Sequence, residues 1–369
     1  MIEGFATAKG TAAYHARRAP AAAAGHFRSW AGIEISSVGI GTYLGAEDAS
    51  TDQSYRDAVV RSLELGLNVV DSAVNYRHQR SERSIGAALR SLINAGRLAR
   101  DEVVLATKGG FIPFDGSVPA DPTAYRLDTY VRSGVLQARD VVGDCHCMTP
   151  RYLADQVERS RRNLGVETID VYYVHNPEMQ LSEVDRPTFR GRMRAAFAFL
   201  EGAVGEGKIR VYGTATWNGY RQPPSAPDFL SLPELARLAG EVAGDAHHFR
   251  VIQLPYNLAM TEAFTRANQV MGEETVSLLE AARRLGIYVM ASASIYQGQL
   301  ARNLPPLIGE FLPGLETDAQ RALQFVRSTP GVGTGLVGMK QAAHVEENAR
   351  LMSVPPLPWE EFGKLFNEA

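Results

Sequence analysis

Cysteine is nearly absent from the chain: Cys145 and Cys147 are the only two in 369 residues. One residue separates them, and a disulfide across so short a span is strained, which argues against a secreted fold stapled by disulfides. An excess of positive charge is also missing, since 38 Lys and Arg face 41 Asp and Glu for a formal net charge of -3. The longest basic cluster, "RSRRN" at 159–163, falls on a predicted helix as a solvated face. No nucleic-acid partner is therefore expected. Long apolar runs are lacking too. None approaches the ~20 residues needed to cross a bilayer, so no membrane partner is expected. Arg17 and Arg18 precede "APAAAAG", but that stretch is too short for a twin-arginine signal. The sequence reads as a cytoplasmic protein. His146 between the cysteines makes "CHC", yet a zinc site needs further ligands, and the nearest histidines are His78 and His175. No metal site is expected.

What the chain does have is alternation. Strand-like runs occur at 34–45, 68–71, 103–108, 170–175, 211–216, 250–254, 288–292 and 335–339. Helical patterns follow them at 54–66, 81–94, 149–163, 187–206, 231–243, 272–285, 317–328 and 341–351. Strict alternation argues for a parallel sheet, and eight units fit a closed (β/α)8 TIM barrel, an α/β fold. A doubly wound open sheet normally opens on G-x-G-x-x-G, of which "GIGTYLG" is a loose imitation. The reading is one domain, 1–369. Residues 1–33 form a lead-in with a hairpin at 5–14 turning at Lys9-Gly10, 34–351 form the barrel, and 352–369 carry a closing amphipathic helix. The connection 109–148, after the third strand, is long for a compact domain. Such loops are functional lids or have structure of their own.

Reactive groups of such barrels sit at the C-terminal ends of strands. There the sequence places Asp71, Lys108 and His175 on consecutive strands, with Tyr76 just beyond the second, in "NVVDSAVNY". Singly, each has a bland explanation as a cap, a surface amine or a core histidine. Together they describe proton chemistry. A phenol titrates near pH 10, and an adjacent ammonium is expected to lower that value. An aspartate would fix the lysine, and a histidine beside the phenol could hold a carbonyl oxygen. Such a group protonates an oxygen as negative charge develops on it. No side chain supplies hydride, so a nicotinamide cofactor is implied.

"DSAVNY", "VVLATKGG", "IDVYYVH", "GKIRVYGTATW" and "GMKQAAHVEEN" occur in the order in which the aldo-keto reductase family carries such motifs. The chain resembles that family over roughly 30–351. The resemblance implies a catalytic tetrad of Asp71, Tyr76, Lys108 and His175, with Tyr76 as general acid/base. It also implies cofactor contacts from Gly41, Thr42, Asp71, Thr216, Gln253, Ser292, Gly338, Lys340, His344, Glu347 and Asn348. Some positions depart from the family pattern. Its serine-asparagine pair stands here as Ala215-Thr216, and the tyrosine that stacks on the nicotinamide is replaced by Ser292, leaving Trp217 or Tyr296 to compensate. The cofactor implied is NADP(H), with NAD(H) second. Backbone amides of "GMK" would suit a phosphate. Arg77 follows Tyr76 where the family commonly has glycine. It could reach an anionic substrate group or be a solvated loop arginine.

Three functions follow in order. The first is an NAD(P)H-dependent oxidoreductase interconverting a small-molecule carbonyl and an alcohol. The second is a redox-neutral lyase or epimerase that uses bound nicotinamide transiently. The third is a cofactor-binding regulatory subunit, against which an intact tetrad argues. No oligomeric state is read from the sequence.

Overall fold

The computed structural model describes residues 1–367. In chain order its strands are β1 (Phe27–Trp30), β2 (Ile33–Ser36), β3 (Val38–Gly41), β4 (Val69–Asp71), β5 (Val104–Gly109), β6 (Ile169–His175), β7 (Ile209–Ala215), β8 (Phe249–Pro255), β9 (Ala267–Met271), β10 (Glu274–Ser277), β11 (Tyr288–Ser292) and β12 (Thr334–Gly338). Eight of them close a barrel in the order β3-β4-β5-β6-β7-β8-β11-β12, every pair parallel. Helices separate the barrel strands, which makes the chain a (β/α)8 barrel.

Successive strand residues face opposite sides. Val69, Val104, Ala106, Val171, Tyr173, Val251, Met290 and Leu336 pack together in the barrel interior. Their neighbours Val70, Leu105, Tyr172, Ile252 and Val337 pack outward with helix residues such as Val59, Leu89 and Phe197. Caps fix where helices begin. Asp48 accepts from the Thr51 amide ahead of Ala49–Glu64, and Thr317 with Gln320 forms a capping box for Asp318–Ser328.

Four local expectations need correction. The segment 5–14 is not a hairpin: Ala8–Arg18 is a helix capped by Thr7, whose hydroxyl accepts from the Gly10 amide at 2.9 Å. Gly10 is required for closeness, because a Cβ there would lie 2.3 Å from the Asp101 carbonyl oxygen. The N-terminal hairpin is instead β1–β2, turning at Ala31-Gly32, and it splits the first expected strand, 34–45. Trp30, Ile33 and Ile35 join the interior cluster, so this hairpin plugs the bottom of the barrel. The segment 272–285 begins as a second hairpin, β9–β10, around Gly272 (φ +67), and only Leu278–Arg284 is helical. The closing helix is two short turns, Trp359–Phe362 and Lys364–Asn367, with Phe362 against Phe325; residues 368 and 369 lie outside the described residues.

The 109–148 excursion has structure of its own. It holds the turns Pro122–Arg126 and Leu127–Arg132 and a small core of Tyr130, Leu136 and Cys147 packed with Tyr152. Its outgoing and returning legs pair at Phe111 and His146.

Candidate active site

The parallel register delivers the ends of β4, β5 and β6 to one rim. Asp71 is the last residue of β4, Lys108 lies next to last in β5, and His175 ends β6. Lys108 Nζ donates to Asp71 Oδ2 at 2.6 Å and to the Ser72 carbonyl at 2.7 Å. From across the barrel, Gln253 Nε2 donates to Asp71 Oδ1 at 2.8 Å. Thr42 binds the Asp71 carbonyl at 3.1 Å and Ser72 Oγ at 3.0 Å, so it braces the strand end.

Tyr76 stands in the turn after β4. Its ring centre lies 5.0 Å from Lys108 Nζ, 4.9 Å from the Tyr43 ring and 5.9 Å from the His175 ring. The ring is half-buried, and its hydroxyl makes no hydrogen bond among the described residues. Phe111 packs edge-on against His175 at 4.9 Å. The four expected residues therefore converge.

Their electrostatics differ from the expectation in one respect. Burial pushes the Tyr76 phenol well above its ordinary value, and the Asp71 carboxylate and Tyr43 push the same way. The Lys108 ammonium, paired with Asp71, does not offset this rise. Burial also raises Asp71 and lowers Lys108, each opposed by the other's charge. His175 is held well below its usual value by burial, then by Lys108 and His146, so it is neutral.

The expected cofactor positions divide into two groups. Thr216 Oγ1 and Asn348 Oδ1 are buried with no partner among the described residues, as is His175 Nδ1. Gly338 is exposed, with open space where a Cβ would stand. Gln341 puts no side chain on the first amides of the helix Ala342–Ala349. Lys340 and His344 are exposed at the same end. Open space, uncapped amides and unpartnered polar atoms at these positions are compatible with a dinucleotide phosphate. Gly41 and Ser292 are half-buried at the ends of β3 and β11, the two strands that flank β12. The other group is already engaged: Gln253 holds Asp71, and Glu347 Oε1 accepts from Thr317 Oγ1 at 2.6 Å.

Arg77 takes neither role foreseen for it. It is buried, donates to the Ala46 carbonyl at 2.8 Å and to Asp52 at 2.7 Å, and lies over the Tyr55 ring. It ties the loop carrying Tyr43 to the turn carrying Tyr76. Arg77, His78 and Gln79 all have left-handed φ, near +48, +51 and +74, a strained run that these ties hold in place. Sequence reasoning also missed Glu178. Its carboxylate accepts the amides of Trp217, Asn218 and Gly219 at 2.8, 3.1 and 3.3 Å and fixes the loop after Thr216. No motif marks such a residue; its only signal is its place three residues after His175.

The aldo/keto reductase family model matches residues 37–300. The chain belongs to the aldo/keto reductase family. Among relatives, it is 27% identical over 191 residues to the NADH-specific methylglyoxal reductase of Escherichia coli (strain K12), a match spanning 50% of this chain and 49% of that protein. It is 23% identical over 333 residues to the 6-dehydroglucose reductase of Novosphingobium aromaticivorans, spanning 88% of each. Solved structures agree on the fold. An aldo/keto reductase from Klebsiella pneumoniae in complex with NADP and acetate superposes with a TM-score of 0.60 at 22% identity, over 91% of this chain and 92% of that one. The glycerol dehydrogenase of Gluconobacter oxydans gives 0.64 at 18% identity, over 94% and 95%. Among the described residues of this aldo/keto reductase, no helix is long and apolar enough to cross a membrane.

Proposed function

We propose that this chain reduces a small-molecule aldehyde or ketone to the alcohol, and runs the reverse reaction, with Tyr76 as the proton donor. The observation that carries the reading is the Asp71–Lys108 pair at 2.6 Å, set beside a Tyr76 hydroxyl that no protein group engages. A bound nicotinamide dinucleotide would supply the hydride. NADP(H) is the first candidate because Lys340 and His344 stand exposed, with no ion pair among the described residues, at the start of the helix that follows β12. NAD(H) is the second, since one relative is named NADH-specific.

The chain's own residues account for the proton. A phenol with a raised pKa stays protonated throughout the physiological range. An alkoxide forming beside it is a stronger base still, so the proton moves from Tyr76 Oη to the substrate oxygen as charge develops. Neutral His175, next to Tyr76, can donate one ring N–H to the same oxygen. Lys108 is kept in place beside the Tyr76 ring by Asp71 and the Ser72 carbonyl. Tyr43 packs against the Tyr76 ring and Phe111 against the His175 ring, so aromatic side chains flank the pair.

The test is Tyr76→Phe. NADPH should bind within twofold of wild type, and aldehyde reduction should fall by roughly 100-fold or more, the share general acid catalysis supplies. Unchanged turnover would defeat the reading.

A further inference from the structure

The carbonyl of His175 lies one residue beyond the β5–β6 ladder, whose final pair is Gly109 with Val174. A side chain takes over where the sheet stops. His146, on the returning leg of 109–148, brings Nε2 to 2.7 Å from the His175 carbonyl oxygen. A carbonyl only accepts, so Nε2 carries the proton and Nδ1 presents a lone pair. Gln180 Nε2 donates to that Nδ1 at 2.7 Å, and Arg192 donates to Gln180 Oε1. The direction of each hydrogen bond is thereby fixed, from Arg192 through Gln180 and His146 to His175. His146 and Gln180 are fully buried.

The gap has no slack. A Cβ on Gly110 would lie 2.8 Å from His146 Nε2 and 2.8 Å from the His175 oxygen, so only glycine leaves the contact intact. The returning leg is itself held in register, with the Ile112 amide on the Cys145 carbonyl at 2.8 Å and the Cys147 amide on the Gly110 carbonyl at 2.9 Å. Phe111, between these anchors, packs on both His146 and His175. On the other side of His175, the Asn176 amide reaches the Ala215 carbonyl at 2.6 Å with a left-handed φ of +45. His175 is thus gripped from β7 on one flank and by His146 on the other.

We propose that His146 is a positioning residue for the reaction, and that through it the 109–148 excursion sets where the His175 imidazole meets the substrate oxygen. The proposal rests on the carbonyl-reductase reading given above. It predicts a loss in turnover more than in nucleotide binding, because His146 is fully buried with both ring nitrogens taken by protein groups.

The experiment compares His146→Phe, His146→Gln and Gly110→Ala in NADPH-dependent reduction of 4-nitrobenzaldehyde, with NADPH affinity measured by fluorescence titration. A phenylalanine fills the space and removes the donor, while a glutamine amide can restore it. His146→Phe and Gly110→Ala should lower kcat roughly 10- to 100-fold, as a misplacement near 1 Å does, with NADPH Kd within about twofold. His146→Gln should recover most of the loss. Unchanged kcat in folded His146→Phe, or equal losses in the Phe and Gln variants accompanied by weaker NADPH binding, would overturn the positioning role. Nitrogen-15 spectra of histidine-labelled wild type do not depend on any variant folding. They should show His146 protonated at Nε2, with that proton protected from exchange, and an Nδ1–H form would overturn the proposal. Loss of turnover in Tyr76→Phe alone would spare the reductase reading and sink only this one. A wild-type protein that reduces no carbonyl would sink both.

Discussion

Replacing Lys108 by Met removes the two hydrogen bonds of its ammonium and leaves Asp71 with the Gln253 amide as its one side-chain donor. Both partners are almost fully buried, with side-chain exposures of 1% and 6%. The stranded carboxylate has two options. Staying charged, it costs about 3–5 kcal/mol, the usual price of a broken buried pair. Taking a proton at about pH 7, from a reference pKa near 3.9, costs about 1.36 kcal/mol per unit, or roughly 4 kcal/mol. The two routes converge on the same loss. They also fix its pH dependence. With Lys108 gone, the folded-state pKa of Asp71 rises further above its unfolded value, so the folded state holds a proton that the unfolded state releases. Stability is then present at acid pH and lost as pH rises, and the deficit of Lys108→Met should shrink by about 1.4 kcal/mol per unit on going from neutral pH toward pH 5. Urea unfolding of wild type, Lys108→Met and the Asp71→Asn/Lys108→Met pair at several pH values measures this. The double variant should regain most of the stability, because burial opposes the charge on both groups. A single-variant cost below about 1 kcal/mol, or one independent of pH, would refute the reasoning.

The opposite end of the barrel should behave as pure scaffold. Asp170 binds Arg100 at 2.7 Å and the amides of Ala6 and Leu105, so Arg100→Met should cost about 3–5 kcal/mol in urea unfolding while leaving kcat per folded molecule unchanged. Arg77→Ala frees the Tyr43 loop from the Tyr76 turn; steady-state kinetics should show KM rising more than kcat falls, with about 1.5–3 kcal/mol of stability lost in urea unfolding. Because burial and Asp71 keep the Tyr76 phenol protonated, kcat for reduction should be flat from about pH 6 to 9, whereas alcohol oxidation, which needs phenolate, should climb by up to about tenfold per unit.

The barrel was legible because its signals are local. β-branched runs ending in Asp71, Lys108 and His175 and amphipathic helices between them depend on neighbours in the chain, and the run 288–292 is β11 to the residue. What misled was glycine and histidine whose reasons are tertiary. Gly10 looks like a turn, yet it sits inside a helix because the Asp101 backbone leaves no room for a Cβ. Gly272 looks like part of a helical stretch, yet it turns a hairpin. His146 serves a carbonyl far along the chain, and periodicity carries no trace of that. The phenol's acidity was misjudged for a related reason. The sequence places an ammonium near Tyr76, but only the geometry reveals that Asp71 has already claimed its charge.

The central claim is that hydride reaches a carbonyl carbon in this site while Tyr76 protonates the oxygen. Single-turnover reduction of an aldehyde with NADPH deuterated at the transferring position tests it most directly. The account predicts one deuterium on the carbinol carbon of the alcohol, with stoichiometric loss of the reduced-nicotinamide absorbance. Deuterium retained in the nucleotide while substrate is converted, with no net change in absorbance, would contradict it.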